Sequence, residues 1–154
     1  MEILRGSKGV TWNSFETIQI AYDLQAGSYT RRLADSAEEA NIKRRFVETL
    51  ARHVSGYSSI LDAGVGEATT LLPLAEQLNS DAQILAFDAS VSRLLWARKN
   101  LENVPMGSHL FVADMATIPL MDSSVDVVIS VHSVEPNGGR ERDLLSELLR
   151  VAAH

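Results

Sequence analysis

From about residue 56 onward, short apolar runs alternate with amphipathic stretches, and this alternation restricts the chain more than any other feature. The runs at 59–61, 83–87, 110–113 and 125–131 have the length of strands, and the stretches around 68–79, 91–103 and 140–151 have helical periodicity. Strand, helix, strand alternation requires right-handed crossovers and a parallel sheet covered by helices on both faces. The fold class is therefore α/β. The run Val125-Asp126-Val127-Val128-Ile129-Ser130-Val131 is almost unbroken in its apolar character, as a buried parallel strand should be. Pro73 conflicts with a helix over 68–79 unless the helix starts near Thr70, which would put the proline in its first turn.

Upstream of Gly56 the pattern is helical or irregular. Ser36-Ala37-Glu38-Glu39 has the form of a capping box, and Ala40, Phe46, Val47, Leu50, Ala51 and Val54 then recur on one face, so a helix is expected over 37–54. The chain accordingly divides into an N-terminal helical cap segment, 1–55, and a sheet-forming domain, 56–154. Within that helix, Lys43-Arg44-Arg45 stands beside Glu38, Glu39 and Glu48 and reads as a solvated face.

Charge and composition remove several classes of function. A net charge of -6 does not suit a protein that holds nucleic acid through excess Lys and Arg. No apolar run approaches the ~20 residues that span a bilayer, and no secretory signal opens the chain, so no membrane contact and a soluble, cytoplasmic protein are expected. The absence of cysteine excludes disulfides, thiolate nucleophiles and Cys-based zinc sites. His53, His109, His132 and His154 lack the spacing of metal ligands, and no metal is expected.

Candidate chemistry collects where the apolar runs end, which is where open α/β sheets bind ligands. The first run continues into Asp62-Ala63-Gly64-Val65-Gly66-Glu67-Ala68. Glycines there permit a tight turn and close approach of a ligand, and a helix starting after the turn would offer free N–H groups. The second run ends at Asp88, about 20 residues past the glycines, where an acid can accept from both hydroxyls of a ribose or, alternatively, cap the helix that follows. A dinucleotide fingerprint wants a small residue at the sixth position of G-x-G-x-x-G/A, and Thr69 stands there. Asp62 would lie close to a pyrophosphate, and its charge suits a cationic ligand better.

At these residues the chain resembles the class I, Rossmann-like S-adenosylmethionine-dependent methyltransferases of the small-molecule type. Leu61-Asp62-Ala63-Gly64-Val65-Gly66 resembles their first motif, Asp88 their second-strand acid, Val112-Ala113-Asp114-Met115 their adenine-contacting segment, and Asp122 to Ser130 the approach to their fourth strand. The resemblance implies a sheet of order 3-2-1-4 and S-adenosylmethionine as cofactor. Gly64 and Gly66 would pass under its methionine part, with Asp62 near the amino group. Asp88 would hold the ribose. Asp114 and the Met115 backbone would meet the adenine edge, with Ala89 and Met115 sandwiching the ring; Met115 reads equally as a core methionine. Tyr22-Asp23-Leu24-Gln25-Ala26-Gly27-Ser28-Tyr29 is similar to the tyrosine segment that closes over the cofactor, where aromatic faces attract a sulfonium. Packing of Tyr22 and Tyr29 onto the sheet is the alternative.

The chain also departs from the family. Ala68 stands where the third glycine of G-x-G-x-G is usual, and the sequence stops at His154, where the family's fifth strand would begin and a hairpin of two more would follow. With those strands missing, the fourth strand becomes an apolar edge, so a truncated chain, a natural fragment, self-association or a partner chain covering that edge is expected. His132 and Glu135 are the available general bases for an oxygen acceptor, and the turn chemistry of Glu135-Pro136-Asn137-Gly138-Gly139 is the competing reading. Glu135-Pro136-Asn137 lacks the Pro-Pro-aromatic pattern of enzymes that methylate amino groups of nucleic acid. The leading expectation is the cofactor-binding half of a small-molecule methyltransferase. The alternatives are a catalytically silent S-adenosylmethionine-binding or assembly module and, further off, an NAD(P)-dependent oxidoreductase.

Overall fold

The computed structural model describes residues 14–78, 81–104 and 108–153. Residues 1–13 of the cap segment, position 79 of the expected helix 68–79, and His154 lie outside them. Three helices come first: α1 (Phe15–Asp23), α2 (Ser28–Asp35) and α3 (Ala37–Val54). The α/β part follows as β1 (Ser59–Ala63), α4 (Leu71–Ala75), β2 (Gln83–Asp88), α5 (Val91–Asn100), β3 (Ser108–Val112), β4 (Val127–Ile129), a 3₁₀ turn (Glu135–Asn137) and α6 (Glu141–Val151).

Helix α3 has the expected span because its start is encoded locally: Ser36 Oγ accepts from the Glu39 N–H at 3.3 Å. Val47, Ala51 and Val54 are buried against Ile60, Leu74 and Ile129. Phe46 departs from the expected core face and stays 44% exposed.

The sheet is parallel, in the order β3-β2-β1-β4. Side chains alternate across it. Ile84 and Ala86 face α4 and α5, whereas Leu61, Ala63 and Phe87 face the cluster that contains Leu144 and Val151 of α6. Two crossovers carry the chain from β1 to β3 and a third returns it to β4, so the first strand is central and its carboxyl end lies at the point where strand order reverses. Ligands bind at such a point in open α/β sheets.

Several elements differ from their expected bounds, four of them in ways that shape the site. The helix expected over 68–79 is the short α4, because Ala68 holds φ +58° and cannot lie in a right-handed helix. Thr70 is its N-cap and Pro73 falls in its first turn, where the missing N–H costs nothing. The helix expected over 91–103 ends at Asn100. β3 begins earlier than 110 and ends with the pair Asp88↔Val112, where β2 itself stops. β4 keeps only residues 127–129 of the expected 125–131, since its pairing with β1 extends from Ile60↔Val127 to Asp62↔Ile129. Asp126 turns its carboxylate back to accept from the N–H groups of Ser58 and Ser59 at 2.9 and 2.8 Å. On its other side Val125 makes a single parallel bridge to Ala152 just past α6.

Candidate functional site

β1 is buried from Ile60 onward and leads into a turn through Gly64 (φ +83°) and Gly66 (φ +57°). A Cβ at Gly64 would stand 2.3 Å from Cβ of Ser133, so the position excludes every side chain. Ser133 is held there by its hydroxyl, which donates to the Ala63 carbonyl at 2.9 Å. The third left-handed position is Ala68, fully buried, and that conformation costs an L-residue about 1–2 kcal/mol.

The amides of this loop are used internally. Gly64 and Val65 both donate to the Phe87 carbonyl at 2.9 Å, and Gly66 donates to Asp88 Oδ2 at 2.8 Å. The expectation of a helix start offering free N–H groups at the glycines is thereby corrected, since α4 begins only at Leu71.

Asp88 ends β2 and is 8% exposed, with Oδ1 accepting from the Ser90 N–H at 2.9 Å. Ser90, not Asp88, caps α5, through its hydroxyl oxygen to the Arg93 N–H at 3.1 Å. Burial pushes the Asp88 carboxyl up, against the opposing pull of the Ser90 and Gly66 amides and of Arg93. Asp62, 3% exposed, is pushed up to about 7 by burial first and by Asp88 second, with Lys43 opposing. Two carboxyl groups thus share one buried floor.

Lys43 reaches that floor from α3 and donates to Thr70 Oγ1 at 2.9 Å. Burial lowers its pKa, and Asp62 works against the shift. The solvated-face reading therefore holds for Arg44 and Arg45, which are exposed, and fails for Lys43. The available signal was spacing: Lys43, Val47 and Ala51 lie four apart on one helical face.

α1 and α2 lie over this floor. Glu67, 2% exposed, accepts from the N–H groups of Gly27 at 3.0 Å, Tyr29 at 3.3 Å and Thr30 at 2.7 Å, and from the Thr30 hydroxyl at 2.7 Å. Its carboxylate terminates α2 from the glycine loop. On the β2 side, Asp23 Oδ1 accepts from the Ser90 hydroxyl at 2.5 Å and the Ser92 N–H at 3.0 Å, and Gln19 Nε2 donates to the Ala89 carbonyl at 3.0 Å.

Tyr22 and Tyr29 line the cavity beneath, but their ring faces are taken by Arg93, whose guanidinium carbon lies 4.3 and 4.9 Å from the two centroids. Arg93 is 8% exposed, and its Nε and Nη2 have no hydrogen-bond partner. No sequence signal marked Arg93 or Glu67; both act through contacts far away along the chain.

Beyond β3, Asp114 Oδ1 accepts from the Ala116 N–H at 3.0 Å and Oδ2 from Arg140 Nη2 at 2.6 Å. Met115 belongs to the core cluster under the sheet and also lines the cavity. Ala89, Asp62, Gly64, Gly66, Asp88 and Asp114 line the same cavity. His132 lines it too, in a left-handed conformation (φ +56°), with Nδ1 3.3 Å from Glu135 Oε1. Their side chains are 86% and 67% exposed, and Glu135 itself opens the 3₁₀ turn. Among the described residues no group of three or more His, Asp and Glu could hold a metal ion, and no helix is long and apolar enough to cross a membrane.

A parallel 3-2-1-4 sheet with a glycine turn after its central strand and a buried acid after the next defines a Rossmann-like α/β protein. The chain belongs to the methyltransferase domain family, which matches residues 60–154. No curated protein matches it by sequence. Among solved structures it is similar to the [4+2]-cyclase SpnF, with TM-score 0.76 and 18% identity over 92% of this chain and 57% of that one. A chain of the complex between the Haloferax volcanii Trm112 methyltransferase activator and a methyltransferase aligns with TM-score 0.68 and 19% identity, over 88% of this chain and 56% of that one. A SAM-dependent methyltransferase from Aquifex aeolicus aligns with TM-score 0.56 and 22% identity, over 62% and 51%. The chain thus spans little more than half the length of these structures, and at such identities the likeness is one of fold.

Proposed function

We propose that the chain binds S-adenosylmethionine on the glycine floor and serves as the cofactor-binding part of a small-molecule methyltransferase. The observation that carries this reading is the pair of buried carboxyl groups, Asp62 and Asp88, on either side of a glycine turn that excludes side chains. Such a floor suits a ligand that brings positive charge to Asp62 and hydroxyl donors to Asp88. Asp62 would take the ammonium group and the ribose hydroxyls would donate to Asp88; Lys43, close to Asp62, is placed for the carboxylate of the same amino-acid part. The Arg140-paired Asp114 retains lone pairs for the adenine amino group, beside the Met115 amide and under Ala89.

When bound, the cofactor supplies a methyl carbon already activated by a positively charged sulfur. Alignment of the acceptor, which the fold can provide, accounts for much of the rate. The helices within 14–55 act as the cap over the sheet domain, and Tyr22 and Tyr29 keep Arg93 away from bulk solvent. His132, oriented by Glu135, accepts the proton of an oxygen acceptor. The β4 edge is the natural seat of a further strand or a partner chain, and a structural neighbour solved in complex with a methyltransferase activator makes a partner chain reasonable in this fold.

A second reading, a silent binding module, draws support from the 86% exposure of the His132 side chain, which leaves the base in water. Calorimetric titration with S-adenosylhomocysteine, with NAD as control, tests the shared premise. Saturable binding is expected, lost by tenfold or more in Asp88→Ala. Absence of binding by folded protein would end both readings.

A further inference from the structure

We infer that the acceptor of this chain is a small uncharged molecule with an apolar body and one hydroxyl, bound in a second cavity that joins the cofactor floor at His132. The inference rests on the methyltransferase reading above. This cavity, of about 380 Å³, lies within the size range of small-molecule sites. Its walls are Leu33 of α2, Ile42 and Phe46 of α3, and Val131 just past β4. Tyr29, Lys43, Thr69, Val131 and His132 belong to both cavities and form the junction.

Three observations point to a ligand there. First, Ile42 and Phe46 are 59% and 44% exposed on a helix whose remaining exposed positions are, apart from Ala37, polar or charged. Paired apolar exposure of this kind marks a binding surface more often than an isolated side chain does. Second, the charges lining the cavity are directed elsewhere: Arg32 pairs with Glu39, and Lys43 turns to Thr70 and Asp62 on the cofactor floor. A charged acceptor would find no free partner, whereas an apolar one removes Phe46 and Ile42 from water. Third, His132 occupies a left-handed conformation that a residue with a Cβ rarely adopts, on the wall that the two cavities share. Strain of that kind clusters at functional sites.

With Nδ1 turned to Glu135, the other ring nitrogen of His132, Nε2, is left for the acceptor. The balance is simple: the acceptor oxygen bonds the methyl carbon, the carbon–sulfur pair returns to sulfur, and the hydroxyl proton passes to Nε2. His132 is then a catalytic residue, and Phe46 and Ile42 decide what enters.

The test is equilibrium binding of 2-naphthol, followed by its own fluorescence, to the whole chain with and without saturating S-adenosylhomocysteine, with naphthalene as the hydroxyl-free comparison. Saturable 2-naphthol binding is expected, weakened at least tenfold in Phe46→Asp and in Ile42→Asp. In His132→Phe the preference for 2-naphthol over naphthalene should disappear while naphthalene still binds. The three positions are exposed or half-exposed, and circular dichroism melts confirm that the variants fold. Binding that neither aspartate variant alters, or no saturable binding to the wild-type chain, overturns the inference. Failure of S-adenosylhomocysteine to bind overturns the underlying reading instead, and the arm without it reports on the cavity separately.

Discussion

The floor of the site and the cap above it are assembled by opposite means. The floor is covalently local and apolar in its support: Gly64, Val65 and Gly66 hydrogen-bond to the end of β2, and fully buried Ile60, Leu61 and Ala63 carry them. The part of the cap formed by α1 and α2 is joined largely by polar side chains that reach backbone groups far along the chain, Glu67 on α2 and Asp23 and Gln19 on the turn after β2. α2 contributes no buried residue of its own. Apolar packing is lost only by unfolding, whereas a few hydrogen bonds can be exchanged for water at modest net cost. The cavity between the two regions measures about 120 Å³, below the usual size of a ligand site. The nucleoside-sized ligand proposed above would have to displace the cap, and the division of labour gives a rigid half and a half held by exchangeable bonds.

The largest effect is expected from breaking the floor. Gly64→Ala places a Cβ 2.3 Å from Cβ of Ser133 at φ +83°. Left-handed strain and overpacking together should cost roughly 2–5 kcal/mol. Urea unfolding reads the loss directly. A variant of unchanged stability would show that Ser133 and the turn after β4 yield easily, and the floor would lose its claim to rigidity.

This contrast also explains what could be read in advance. Features set by neighbours in sequence were legible: the capping box of α3, the glycine turn, Asp88 one strand later, and the 3-2-1-4 order that the family resemblance implied. Features set by distant partners were not. Nothing near Glu67 says that its carboxylate ends a helix about 40 residues upstream, and Arg93 acquires meaning only once Tyr22 and Tyr29 cover it. β4 shortened for the same reason, because its length depends on which residues of a distant strand pair with it. The short α4 followed from one torsion, at Ala68, that an alanine does not announce.

The floor can be probed next through pH. The Asp62 carboxyl is pushed up to about 7 by burial and by Asp88, so between its unfolded value near 3.8 and about 7 the native chain holds a proton that the unfolded chain has released. Stability must then fall as pH rises through that window, and the cost persists above it. Its upper bound is about 4 kcal/mol. Asp62→Asn should flatten the decline and be the more stable protein at pH 8, as measured by urea midpoints from pH 5 to 8. Parallel pH profiles for wild type and variant would mean that the carboxyl titrates at an ordinary value, and the two floor acids would not be competing for one buried space.

The smallest effect, and the one that best separates the regions, comes from Glu67→Gln. Oε2 of Glu67 accepts from the Thr30 N–H and hydroxyl, so an amide nitrogen in its place sets donor against donor. Loss of a charge-assisted bond of this type costs about 1–3 kcal/mol, and the cap bears that cost because α2 has little else to hold it. Amide exchange should therefore quicken at Tyr29, Thr30 and Arg31 while Gly64 and Val65, bound to Phe87, keep their protection. The orientation in which glutamine keeps its oxygen toward Thr30 instead opposes the Gly27 and Tyr29 amides, so either rotamer loosens the same helix. Equal loss of protection in cap and floor would show one cooperative unit in place of two, and raising the cap would then require opening the sheet as well.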